Sequence, residues 1–441
     1  MDRALTMLLR SGDWLTRERI RLVAGMLLIA STVGFLFLVV TAHDGIDRLG
    51  RPLGTDFSNV YAAGTYVLDG NPDAPFDPPQ QYAREQTLFG AATPFYGWHY
   101  PPYFLFIAGA LAKMSYGTAL MVWQASTLAL YLFAIWAIIK SSFLESAQPR
   151  NARHQGVTAD WLLLAVAFPA VLINVGHGQN GFLTAALLGG ALVLLDRQPL
   201  IAGILFGLLA YKPQFGLMIP IALLAGAHWR SFAAAAATVV VLTLVTTVAF
   251  GPQVWHAFLI STQFSRTVVL EQGNTGWQKI QSLFSWARMW GAPIPLAYAF
   301  QGVLTVALGI ATVRLWRSAA APALKAAALC LAAILATPYT LDYDMMVLGP
   351  AIASFAVDGL AHGFRPWEKT ALAALWLVPL AARSVAQVTL IPLGVIAMLS
   401  MFFVIMRRAE LDRALPVALA GAAPRLTDSG PAPSHDIAAF E

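Results

Sequence analysis

The chain has 441 residues, 58% of them hydrophobic and only 12% charged, with a mean hydropathy of +0.64; no soluble globular class has that balance. The single cysteine, Cys330, excludes an internal disulfide, a multi-cysteine zinc site and an iron–sulfur cluster. The formal charge of +5 is scattered between apolar spans rather than gathered into a basic patch with interleaved aromatics, which argues against a nucleic-acid partner and for a role in membrane topology.

Stretches of roughly 20 apolar residues suffice to cross a bilayer, where a backbone satisfies its own polar groups only as helices or closed barrels. They recur along the chain, so the expected fold is an all-α polytopic membrane protein. Arg3, Arg10, Arg17, Arg19 and Arg21 place the N-terminal tail in the cytoplasm, and the first span, 20–42, is expected to stay uncleaved. Residues 43–100 carry seven acids (Asp44, Asp47, Asp56, Asp69, Asp73, Asp77, Glu85) against three Arg and no Lys. That loop is expected to be extracytoplasmic, and its aromatics suit short helices lying on the membrane surface.

Further apolar segments fall at 102–114, 118–139, 159–175, 181–195, 199–211, 214–226, 231–250, 296–316, 318–337, 344–357, 367–382 and 389–406. If 102–139 crosses once, Tyr103–Met114 is re-entrant or interfacial. The basic clusters Lys140/Arg150/Arg153, Arg197, His228/Arg230, Arg314/Arg317, Arg365/Lys369 and Arg407/Arg408 then share the cytoplasmic side with both termini, and the bundle has about twelve spans. Residues 1–420 form one transmembrane domain, and 421–441, rich in Pro, Ser, Gly and Ala, are expected to be a disordered cytoplasmic tail. No repeat of fixed period is visible.

With this orientation the polar motifs collect on the outward side. Asp56, in Gly54-Thr55-Asp56-Phe57-Ser58-Asn59, reads either as a helix N-cap or as a carboxylate whose pKa partial desolvation raises, as a general base needs. Trp98-His99-Tyr100-Pro101-Pro102 leads back into the membrane; its prolines suit a helix start, and His99 serves either packing or a ligand. Asn174-Val175-Gly176-His177-Gly178-Gln179-Asn180-Gly181 is a tight turn, yet bunched amides and an imidazole at membrane depth are costly unless they meet a hydroxyl or a phosphate. Lys212, in Tyr211-Lys212-Pro213, needs a partner, a cavity or the headgroup region. Residues 273–282, with Asn274 and Trp277 and with Arg266 and Glu271 nearby, read as an outward surface helix. In Thr337–Asp344, one of Asp342 and Asp344 is expected to cap a helix and the other to pair with Lys212 or Arg266.

No Walker loop, dinucleotide fingerprint or His-Glu-x-x-His helix is present, and a nucleotide sugar would lie on the wrong side of the membrane. The Asp in the first outward loop, the Tyr-Pro-Pro re-entry, the Gly-x-Gly-Gln-Asn break and the Lys-Pro inside a later span together resemble glycosyltransferase family 87, across about residues 20–410. The break departs from the family pattern, which has a small apolar residue between Gln and Asn. The resemblance implies a GT-C-like bundle and the chemistry of the polyprenol-phosphate-mannose-dependent α-mannosyltransferases. It makes Asp56 the catalytic base and calls for a polyprenyl-phosphate sugar donor and a glycolipid or glycan acceptor at the outer face of a bacterial-type inner membrane. Lys212, His177 and Arg266 are the candidates for the donor phosphate. His99, Tyr100, Gln179, Asn180, Asn274, Trp277, Asp342 and Asp344 are those for sugar or acceptor. No cofactor or metal cluster is expected, although Asp56 with Asp342 or Asp344 could bind a divalent ion if the fold joins them. The competing class is a transporter or flippase, for which many spans and charges at membrane depth are equally natural.

Overall fold

A computed structural model of the chain describes residues 3–145 and 154–422; most of the expected tail, from residue 423 on, and Arg150 and Arg153 lie outside them. The described residues are helical, with no strand among them and only isolated bridges at His43–Ile46, Ile46–Pro52 and Ile280–Leu341. Six helices are long and apolar enough to cross a membrane: Arg17–Val40, Tyr116–Ser141, Trp229–Phe250, Ile294–Trp316, Asp342–His362 and Glu368–Thr389. A seventh arises if Ala159–Val166 and Pro169–His177, bent by 47° between them, count as one span.

Length alone therefore gives fewer spans than the twelve expected. Pro102–Ala112, Gly181–Leu194, Pro199–Tyr211, Pro213–Ala225 and Pro322–Leu335 have only 10–17 residues, about 15–25 Å at 1.5 Å rise per residue. Four of these five begin at proline, which cannot continue a preceding helix but is pre-set for a first turn.

Pro322–Leu335 is the centre of the bundle. Leu324 and every residue from Ala326 to Leu335 are buried, as expected of a helix apolar on all faces. It delivers the Thr337–Asp344 turn directly from the core. Close helix pairs rest on small residues: a Cβ at Gly203 would lie 2.4 Å from the Ser231 carbonyl oxygen, and one at Gly207 would lie 2.5 Å from Thr238 Cβ. That contact holds Pro199–Leu208 against Trp229–Phe250. By contrast Arg17–Val40 buries only Ala24 and is tied near its start by Arg17 and Arg21 to Asp160, each at 2.5 Å.

The first loop folds onto the bundle. Its helix Phe57–Leu68 packs on Leu105–Ala112 so closely that a Cβ at Gly64 would fall 2.1 Å from the Ala108 carbonyl oxygen. Pro78–Phe89 follows, with Asp77 accepting from the Gln80 amide as its cap. Residues 273–282 do not form the expected surface helix: only the single turn Trp277–Lys279 is helical. Gly273 (φ 72°) and Gly276 (φ 90°) lie outside helical backbone space, and Ile280 pairs with Leu341 instead.

Candidate active site

Asp56 stands at the N-cap position of Phe57–Leu68, but its side chain makes no capping bond. The carboxylate turns to the 174–181 break: Oδ2 accepts from Gln179 Nε2 at 3.0 Å, and Oδ1 accepts from Thr55 Oγ1 at 3.3 Å and faces His177 Nδ1 at 3.5 Å. The Asp56 amide donates to the His177 carbonyl at 2.9 Å, and Thr55 Oγ1 lies 2.9 Å from His177 Nδ1. Two glycines permit this approach. Gly54 and Gly178 both have positive φ (66° and 64°), and a Cβ at Gly178 would lie 2.6 Å from Phe57 Cβ and 3.2 Å from Gly54 Cα. Gly178→Ala is expected to cost about 1–2 kcal/mol for the left-handed backbone alone and, by parting Thr55 and Asp56 from the break, to cut activity at least about tenfold; thermal melting and turnover measured together check this.

The Asp56 side chain keeps 20% exposure and that of His177 26%, so a ligand reaches both. Burial alone would raise the Asp56 carboxyl, but the His177 charge, hydrogen bonds from His177 and Gln179 and the Lys279 charge outweigh it and hold the group below the ordinary carboxylate value. This reverses the raised pKa expected from the sequence. Asp56 is an ionised acceptor at neutral pH.

Gln179 is fixed from behind. Its Oε1 accepts from Tyr100 OH at 3.0 Å and from the Asn180 amide at 3.1 Å, while Asn174 holds the turn through the Gln179 carbonyl (3.0 Å) and the Gly181 amide (2.8 Å). Tyr100 thus positions the amide that orients Asp56. The Asn180 side chain is buried with neither amide atom hydrogen-bonded, an unmet demand that a sugar hydroxyl can satisfy. His99 Nδ1 sits 2.8 Å from Ser265 Oγ, and burial pushes the imidazole down to about 4, so it is neutral near pH 7.

Lys212 is 3% exposed and forms a buried ion pair with Asp344. Asp344 also accepts the Leu341 amide at 3.0 Å, so it both caps and pairs, where the sequence suggested one acid for each task. Asp342 faces the site instead: it accepts the Tyr343 amide at 3.0 Å, lies 3.8 Å from Arg383 Nη1 and interacts electrostatically with His177, Asp56 and Lys279. The others sit apart from this cluster. Arg266, 66% exposed, faces Glu271 at 3.5 Å; Trp277 donates to the Leu270 carbonyl at 2.9 Å and carries Arg288 over its ring; Asn274 is exposed.

Two cations that the sequence reading did not select stand at the mouth. The Ile280–Leu341 bridge, with Gln281 donating to the Thr340 carbonyl at 2.7 Å, brings Lys279 beside Asp342. Arg383 reaches the same place from Glu368–Thr389. Burial and then the Arg383 charge depress the Lys279 ammonium, more than Asp342 and Asp56 restore it. Two like charges that repel each other in a half-buried mouth form a receptive site for an anion.

The site therefore joins the ionised Asp56, an orienting imidazole and amides, an unsatisfied Asn, and the cations Lys279 and Arg383 around Asp342. That set can take a proton from a hydroxyl and stabilise a departing anion. Among the described residues no group of three metal-ligating side chains occurs. Neither curated proteins nor solved structures give a match to the chain. The sequence model of glycosyltransferase family 87 matches residues 98–338, a stretch that runs from Trp98 through the 174–181 break, Lys212 and Lys279 to the start of the Thr337–Asp344 turn. The chain belongs to glycosyltransferase family 87.

Proposed function

We propose that this glycosyltransferase is inverting, and that it moves a hexose, mannose in our reading, from a polyprenyl-phosphate donor to a glycolipid or glycan acceptor on the extracytoplasmic face of the membrane. The carrying observation is the half-buried carboxylate Asp56, oriented by Gln179 and His177. Its neighbour Asp342 is held by the Tyr343 amide and Arg383 and so is not poised as a second nucleophile. One base without a nucleophilic partner favours direct displacement, by the carboxylate logic of glycosidases.

In the proposed reaction Asp56 accepts the proton of the acceptor hydroxyl as its oxygen attacks the anomeric carbon. The bond from that carbon to the phosphate oxygen breaks, and its electron pair leaves on the lipid phosphate. A β-linked donor then gives an α-linked product. The basic clusters near the other ends of the spans support the outward placement of this chemistry, and that placement favours a lipid-carried donor.

The departing phosphate is assigned to Lys279, with Arg383, which it would share with Asp342, and His177 beside Asp56. This revises the sequence-based choice of Lys212, whose ammonium is already matched by Asp344, and of Arg266, which lies with Glu271. Lys279→Ala and Arg383→Gln are each expected to raise the donor KM and weaken inhibition by free polyprenyl phosphate by about 10–100-fold, the worth of a hydrogen bond to a charged group. Steady-state kinetics of the purified variants check this; unchanged donor KM in both would remove the assignment.

A further inference from the structure

Glu85 belongs to no motif and is wholly buried, on the helix Pro78–Phe89. Its carboxyl gathers three N–H donors: Oε1 accepts from Gln81 Nε2 at 3.2 Å and from the Gly97 amide at 3.2 Å, and Oε2 accepts from the Tyr96 amide at 3.0 Å. None of these donors is a cation. Gln81 Nε2 also donates to the Asn59 carbonyl at 3.0 Å, three residues past Asp56. On the other side the Tyr96-Gly97 turn runs straight into His99 and Tyr100, and Tyr100 OH holds the Gln179 amide that faces Asp56. Glu85 and Gln81 together therefore tie the helix that follows Asp56 to the segment that orients it.

We propose that Glu85 is a positioning residue for the transfer reaction: as a carboxylate it clamps the Tyr96–Tyr100 segment to the Asp56 helix, and its protonation releases that clamp. The inference rests on the reading of Asp56 as the base. All three of its partners are donors, so the acid form would point an O–H at an N–H and break at least one of the bonds. The ionisable groups nearest Glu85 do not share its range. Asp56 is held below the ordinary carboxylate value, the Tyr96 phenol is pushed up to about 12, and His99 is neutral. On the two helices and the segment between them, Arg84 pairs with Asp69 at 2.8 Å, Asp77 with Gln80 at 2.8 Å, and burial raises the Asp73 carboxyl. Tyr66 donates to the Gln80 carbonyl and Tyr61 to that of Met114; Tyr116 meets Phe89 by its ring. Burial pushes Glu85 up to about 7, further raised by the Asp56 charge and partly opposed by its three N–H donors.

The test is the pH dependence of kcat for purified wild type, Glu85→Gln, Gln81→Met and Asp56→Asn, with polyprenyl-phosphate mannose as donor. In wild type kcat is expected to fall as pH drops through about 7, because protonation removes the clamping form. Glu85→Gln, whose amide cannot accept from both Tyr96 and Gly97, is expected to lose about tenfold in kcat, with donor KM little changed and a smaller fall in kcat as pH drops through about 7. Gln81→Met keeps the carboxyl but cuts its link to the Asn59 carbonyl, so it is expected to lower kcat about as much as Glu85→Gln does and to flatten the fall near pH 7; this variant decides the matter even if Glu85→Gln does not fold. Wild-type kcat and pH profile in either Glu85→Gln or Gln81→Met overturns the proposal. Activity retained in Asp56→Asn overturns instead the base reading beneath it.

Discussion

Asp56→Asn is expected to lower kcat by about 100- to 10,000-fold, the range of a positioned general base, with donor affinity and thermal stability nearly unchanged. The substitution is isosteric. The Asn carbonyl oxygen still accepts from Gln179, and the backbone bond from residue 56 to the His177 carbonyl persists. What disappears is the negative charge that takes the acceptor proton. Because that carboxyl is held below its ordinary value in the folded protein, the loss of wild-type activity due to Asp56 appears only when pH falls below the usual carboxylate range. The same depression adds stability that is fully present above the unfolded pKa, about 3.9 for Asp, and is lost as pH falls through the folded value. Turnover and melting of wild type and variant, side by side, read both effects.

The second large effect concerns stability. Lys212→Met is expected to destabilise the protein by about 3–5 kcal/mol, since it strands the buried Asp344 carboxylate. Asp344 is 2% exposed and keeps only the Leu341 amide when the ammonium is gone. Adding Asp344→Asn to Lys212→Met removes the stranded charge, preserves the cap at Leu341 and is expected to recover most of the loss. Thermal melting of the two single variants and the double one, in detergent, gives the coupling energy. If the double variant is as unstable as the worse single, Lys212 has a role other than matching Asp344.

The polar break at 174–181 and Asp56 were legible in sequence because polar groups in an apolar context demand a partner, and each turns out to be the other's. The order of the Asp, Tyr-Pro-Pro, Gly-Gln-Asn and Lys-Pro motifs likewise carried the family. Lys279 and Arg383 were not legible. One lies in a segment whose pattern suggests a surface helix, the other just past the apolar run 367–382; the long-range Ile280–Leu341 bridge brings the first to Asp342, and the second reaches Asp342 from its own helix. Local sequence cannot show such a pairing. The pairing of Lys212 with an acid of the Thr337–Asp344 turn was legible, because a buried ammonium demands a counter-charge. Glu85 read as one of seven acids on a solvated loop, because its burial depends on Gln81 and on the returning Tyr96-Gly97 turn. Several of the expected segments are helices of only 10–17 residues that begin at Pro102, Pro199, Pro213 and Pro322, too short for length alone to count them as spans.

The most direct measurement is transfer by purified protein from labelled β-linked polyprenyl-phosphate mannose to a pool of membrane glycolipids in detergent, with the anomeric configuration of the product read by NMR. An inverting transferase with Asp56 as base gives sugar transfer without a sealed membrane, an α-linked product, and loss of that product in Asp56→Asn. A β-linked product, or equal transfer by the variant, would contradict it.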